Sequence, residues 1–214
     1  MRKVKVNQMI YELHYKIKII LNNFKSKLLF AQVGKRTYIF KPLRVVGAKH
    51  IYWGSYTSAM PGLRIEAIEY HNSKKYSPNI YIGDRVNIEQ NVHITCADRI
   101  TIGNDCSILA DVLITDINHP YENILCPPRE ANFETKPVSI GEQTMIGMGA
   151  KIMPGVSIGK HCVVGTNAVV TKNIDDYCVV AGIPAKVIKK YDVEKQKWIT
   201  IDKENHFWII YIYV

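Results

Sequence analysis

The sequence is expected to fold as an all-β protein, a parallel β-helix of hexapeptide repeats with a helix ahead of it and one loop projecting from it. Three observations carry this expectation. Between residues 80 and 187, aliphatic side chains recur every six positions: Ile82, Ile88 and Ile94, then Ile102, Ile108 and Ile114, then Ile140, Ile146, Ile152, Ile158, Val164 and Val170. A second small or apolar residue stands two positions before each, from Ile80 and Val86 through Cys106 and Thr144 to Cys162 and Ala168. A glycine or polar residue follows many of the main positions, as in Ile82-Gly83-Asp84, Ile102-Gly103-Asn104, Ile140-Gly141-Glu142 and Ile158-Gly159-Lys160. Fixed self-similarity of this kind marks a solenoid, and a hexapeptide period marks a β-helix.

The physical basis is simple. Apolar positions two apart share one face of a strand, because side chains alternate with period 2. The Gly, Asn and Asp residues that follow tolerate positive φ or a tight bend and so supply a corner. Strand and corner in alternation wind into a prism lined by stacked aliphatics, with rungs about 4.8 Å apart. A helix does not match a period of six. A flat sandwich would not hold one phase across so many units.

Along the chain, residues 1–40 are expected to form an N-terminal helical cap. Ile10, Leu13, Ile17, Ile20, Leu21, Phe24 and Leu28 recur at helical spacing over residues 6–30, with lysines between them. Such a helix covers the open end of a β-helix, where backbone groups are unpaired; lying on an anionic membrane surface is the alternative. Residues 41–188 are the β-helix. Its first part is imperfect: Trp53, Ala59 and Ile65 keep the step of six, but Glu66 to Pro78 is irregular. Two residues are inserted around Cys96–Arg99, and a long loop over 116–137 opens with Asp116-Ile117-Asn118-His119-Pro120-Tyr121. Insertions leave a solenoid only at its corners and often build its binding face. Residues 189–214 form a tail whose end, Phe207 to Val214, is apolar enough to require packing as a final strand.

Composition sets further limits. The 214 residues make one domain, and the net charge is +9. The basic residues gather at the N-terminus (Arg2, Lys3, Lys5, Lys16, Lys18, Lys25, Lys27) and near the end of the repeats (Lys186, Lys189, Lys190, Lys195, Lys197). No basic run is interleaved with aromatics, so nucleic acid is not the expected partner. Either cluster is a solvated surface, or the second holds a phosphorylated ligand and the first touches a membrane. Cys106, Cys162 and Cys178 fall in the inward register, which suits core thiols in a reducing compartment better than a disulfide framework. The first ten residues do not read as a signal peptide, and no stretch approaches the ~20 apolar residues of a membrane span. A cytoplasmic protein is expected.

His119 is the sharpest candidate for chemistry. It opens the long loop, precedes a proline, and follows Asp116 by three positions. A histidine is the usual base for taking a proton from a hydroxyl or amine near neutral pH.

With these residues in hand, the sequence resembles the hexapeptide-repeat acyltransferases of left-handed β-helix fold, nearest their galactoside/maltose-type and polysaccharide O-acetyltransferase branch. The likeness covers roughly residues 40–190. It rests on Asn118-His119-Pro120, Ile140-Gly141-Glu142-Gln143-Thr144-Met145-Ile146-Gly147, Thr171-Lys172, and Ala181-Gly182-Ile183-Pro184-Ala185-Lys186-Val187-Ile188. It implies a homotrimer with active sites between neighbouring prisms, and acetyl-CoA as co-substrate with no metal. It implies His119 as general base on the acceptor hydroxyl. Asn91, His93, Asp98 and Asn118 are implied near the acceptor; Met145, Gly147, Gly165 and Thr166 along the pantetheine arm; Thr171 and Lys172 at the CoA end; and Lys186 on a phosphate. Some relatives carry Trp where this chain has Met145. The expected activity is acetyl transfer to a sugar hydroxyl in surface polysaccharide synthesis. Alternatives are a streptogramin-type antibiotic acceptor, an amino-sugar N-acetyltransferase, a γ-carbonic-anhydrase-like metalloprotein in which His93 and His119 pair, and a non-enzymatic scaffold.

Overall fold

The computed structural model describes residue 24 and residues 26–201. Those residues form the expected left-handed parallel β-helix. Three strands make a coil, one on each face of a triangular prism. The six coils are, in turn, Gln32–Val33, Tyr38–Ile39 and Arg44–Val46; Ile51–Trp53, Ser58–Ala59 and Arg64–Ala67; Asn79–Ile82, Asn87–Ile88 and His93–Cys96; Arg99–Ile102, Ser107–Ile108 and Leu113–Thr115; Val138–Ile140, Met145–Ile146 and Lys151–Ile152; Ser157–Ile158, Val163–Val164 and Val169–Val170. Each strand pairs in parallel with its counterpart one coil away, in strict register such as Ile80↔Ile100, Ile88↔Ile108 and Ile94↔Ile114.

The predicted inward positions are the core. None of the side chains at the main and companion positions from Ile80 to Val170 is more than 4% exposed, and Trp53, Ala59 and Ile65 are fully enclosed. The polar members of this column are satisfied across rungs. Thr144 donates to the Gly159 carbonyl (3.0 Å) and accepts from the Cys162 N–H (3.1 Å). Cys106 directs its thiol at the Gly141 carbonyl (3.1 Å) and Cys162 at that of Asp175 (3.1 Å). Burial pushes the Cys106 thiol up to about 11; Cys106, Cys162 and Cys178 are buried free thiols, as their register predicts, and Cys96 at the insertion is buried as well.

The corners differ from the sequence expectation in one respect. Gly83, Gly103, Gly141 and Gly159 do not carry the positive φ; that falls two residues later, at Arg85, Asp105, Gln143 and His161. The glycines are required by close approach: a Cβ on any of them would come closer than 3.0 Å to backbone of the next coil.

The boundaries also move. Gln32–Val33 pairs with Tyr52–Trp53, so the winding begins ahead of residue 41. At the other end Cys178–Gly182 starts a seventh turn, and Ala185–Asp192 folds back antiparallel across residue 188, followed by Lys197–Thr200. This hairpin converts the open end of one sheet into an antiparallel edge. Residues 26–29 are helical and Phe30 packs edge-on against Trp53 (5.7 Å, 73°). The rest of the predicted helix over 6–30, its basic residues up to Lys25, and the apolar end 207–214 lie outside the described residues. No helix among the described residues is long and apolar enough to cross a membrane.

Candidate functional site

All the large insertions leave the prism at one corner, between the third strand of a coil and the first strand of the next. Residues 68–78 leave after the second coil and include a small antiparallel hairpin, Tyr70–His71 with Lys74–Lys75. Ala97 and Asp98 leave after the third, and the long loop leaves after the fourth. The loop is closed at its base by an antiparallel pair, Ile117↔Thr135 and Asn118↔Glu134. Together they bury a satellite core of Tyr76, Ala97, Ile117 and Phe133, with Ile68 packed against it.

His119 stands exposed at this corner. Its ring meets Phe133 edge to face (4.9 Å, 81°) and lies perpendicular to His71 (6.4 Å, 90°). Asp116 does not hold it. That carboxylate is fully buried and accepts the N–H groups of Ala97 (2.8 Å) and Asp98 (2.8 Å) and the Cys96 thiol (3.2 Å). Burial raises its pKa, against the lowering effect of the two N–H donors. Asp116, three residues before His119, is therefore tied to the preceding insertion.

The other candidates divide between two edges of the third face. On the insertion corner with His119 lie Asp98, half-buried, and Asn118, Thr171 and Lys172, all exposed. On the opposite edge lie Asn91, Gly147, Gly165 and Thr166, with Met145 at the end of the adjoining strand. Lys186 pairs with Ala181, which touches the Gly165 position, so it belongs to that edge. Asn91 is a corner residue with φ 57 whose amide donates to Asp111 (3.2 Å). Gly147 and Gly165 have a packing cause: a Cβ on Gly147 would lie 2.6 Å from the Val164 carbonyl oxygen, and one on Gly165 would lie 3.1 Å from Ala181 Cβ. His93 sits on the third face itself, its Nε2 2.6 Å from the Thr95 hydroxyl and 3.8 Å from the buried Glu66. Burial and the Arg64 charge lower its pKa despite Glu66. Among the described residues His93 and His119 share no contact partner.

The sequence reading missed His71, Asn72, Tyr76 and Phe133. Three of these four come from the stretch that read only as irregular, and contacts across 57 or more residues have no local signature. An open depression of about 650 Å³ lies elsewhere, on the first face beside Gly103, Gly141 and Lys160, and includes none of the candidates.

Residues 137–172 match the family described as Bacterial transferase hexapeptide (six repeats). WbbJ of Escherichia coli (strain K12), assigned to lipopolysaccharide biosynthesis as an O-acetyl transferase, is 38% identical over 56% of this chain and 64% of its own length. The galactoside O-acetyltransferase of the same organism is 31% identical over 62% of this chain and 60% of its own. The match thus spans less than two thirds of either relative. Among solved structures, a point mutant of AntD, an N-acyltransferase from Bacillus cereus, in complex with dTDP-4-amino-4,6-dideoxyglucose and coenzyme A, superimposes with a TM-score of 0.66 at 19% identity, covering 79% of this chain and 88% of that one. At that identity the likeness is one of fold.

Proposed function

We propose, from the premise that this chain belongs to the hexapeptide-repeat acyltransferase family, that it moves an acetyl group from acetyl-CoA to a hydroxyl of a sugar destined for surface polysaccharide. The observation that carries the reading is the exposed His119 ring at the corner where all the large insertions gather. The relatives named for O-acetyl transfer support the choice of a hydroxyl acceptor.

In this mechanism a ring nitrogen of His119 takes the proton from the acceptor hydroxyl as its oxygen attacks the thioester carbonyl. The tetrahedral intermediate then expels the CoA thiolate, which recovers the proton from the imidazolium. Such a reaction needs a base, a donor for the developing oxyanion, and two substrates held at short range. Gly147, Gly165 and Thr166 offer a smooth edge for an extended pantetheine arm, and Lys186 supplies a positive charge for a phosphate at its end. Thr171 and Lys172 lie on the same corner as His119 and are proposed to meet CoA from a neighbouring subunit. The interior of the prism is filled, so a cleft for two substrates has to form between chains, and a homotrimer closes it by rotation.

Replacing His119 with Ala should leave the protein folded with at most a small fall in melting temperature, because the ring is outside the stacked core, and should lower kcat by about 10²–10⁴-fold. Release of CoA by the purified protein, screened against nucleotide sugars, amino sugars, oligosaccharides and antibiotics, tests the acceptor class. A variant that keeps most of its turnover would remove His119 from the mechanism.

A further inference from the structure

We propose that Phe133 and His71 are positioning residues that set the plane of the His119 ring, an inference that rests on His119 being the base. Among the described residues no hydrogen bond holds the His119 ring, so its orientation depends on packing. Phe133, 6% exposed, supplies that packing. One face of the Phe133 ring lies flat on His71 (3.8 Å, 12°), Tyr76 leans against it (5.7 Å, 39°), and His119 meets it at 81°. Edge-to-face aromatic pairs prefer one relative orientation and stabilise it beyond the area they bury.

The brace is built across sequence. His71 belongs to the hairpin inserted after the second coil, whereas Phe133 and His119 belong to the loop after the fourth. Asn72, held at φ 50 in the hairpin turn, donates its amide to the Glu130 carbonyl at 2.9 Å. The Tyr76 hydroxyl donates to the Phe133 carbonyl at 3.2 Å. The returning arm of the loop is thereby gripped by the hairpin, and its pairing with Ile117 and Asn118 passes that constraint to the arm bearing His119. His71 Nε2 is buried without a hydrogen-bond partner, a state that stability alone disfavours. The histidine ring is held in place by the flat stack on Phe133.

A base displaced by a fraction of an ångström loses its near-attack geometry, so loosening the brace should appear in turnover and not in affinity. Phe133→Leu keeps apolar bulk and removes the aromatic plane; it should lower kcat roughly tenfold or more while both KM values stay within about twofold. His71→Phe keeps a flat ring and should retain the parent kcat, while His71→Ala should not. An independent readout needs no activity: the His119 ring resonances, assigned by their loss in His119→Ala, carry a ring-current shift from Phe133 that should collapse in Phe133→Leu and His71→Ala and persist in His71→Phe. Parent kcat in a folded Phe133→Leu, or unmoved His119 resonances in His71→Ala, would overturn the brace. A failure of the base assignment would show separately, as an active His119→Ala.

Discussion

Asp116 replaces, with one carboxylate, the ladder hydrogen bonds that the chain loses where Ala97 and Asp98 bulge from the coil. Both N–H groups point at it, and the Cys96 thiol completes its shell. Asp116→Ala would orphan two donors at about 1–3 kcal/mol each. The melting temperature should then fall by at least about 4 °C for a domain of this size. Asp116→Asn, which keeps one acceptor, should lose less; an unchanged melting temperature in the alanine variant would mean that solvent satisfies those donors. Lys186 is the proposed phosphate contact. It is exposed, beside Ala181 at the edge with Gly165. Lys186→Glu should raise KM for acetyl-CoA, leave the acceptor KM nearly unchanged, and show a smaller defect at high salt, because screening weakens both the native attraction and the new repulsion. Unaltered acetyl-CoA kinetics would make it one more solvated lysine. His119 was legible as a candidate because one histidine opens the largest break in a regular pattern. Phe133 and His71 were not, because neither has a repeat position to deviate from.

At the corner after each first-face strand, the glycine and the left-handed residue two places on have separate duties. Gly141 has no room for a side chain: its Cβ would lie 2.5 Å from the Gly159 carbonyl carbon and 2.6 Å from the Lys160 nitrogen. Gln143, two residues on, carries the positive φ of 59°, a conformation that costs an L-residue about 1–2 kcal/mol. Gly141→Ala should therefore destabilise the protein by about 1–3 kcal/mol, as overpacking does. Gln143→Gly should be neutral or stabilising, because it relieves that strain. Chemical denaturation of the two variants compares the signs directly, and equal losses would contradict this division. The sequence shows that a corner follows each main position; only the stacking of successive coils shows which corner residue is constrained by space.

Over the whole molecule, the two edges of the third face pose a geometric problem. One side of the prism, spanned by the chain from Thr166 to Thr171 and roughly 17 Å long when extended, separates the His119 edge from the Lys186 edge. If both serve one reaction, the chain that supplies the base need not be the chain that holds the phosphate end of CoA. Sedimentation should give three times the 24.4 kDa mass of one chain. Co-expressed His119→Ala and Lys186→Glu variants, each inactive or impaired alone, should regain a fraction of the parental turnover, since mixed trimers contain some interfaces with both residues intact. An active monomer would contradict the shared site, and mixed trimers without recovery would place both residues at the same chain's site.

The hexapeptide period by itself determined the architecture, its core and its reading frame. Each inward residue from Ile80 to Val170 is specified by alternation and by the rung above, so local pattern and tertiary position are the same information. The same counting placed the breaks after Ile94 and Ile114, and it marked His119. What only the tertiary structure decided is which distant breaks share a corner. The stretch from Glu66 to Pro78 has no period, and its meaning comes from a coil geometry that sets it beside a loop more than fifty residues away. The ends of the winding were decided there too: Gln32–Val33 and Ala185–Asp192 are strands because neighbouring rungs offer them unpaired backbone, a demand that two or eight residues of sequence do not display.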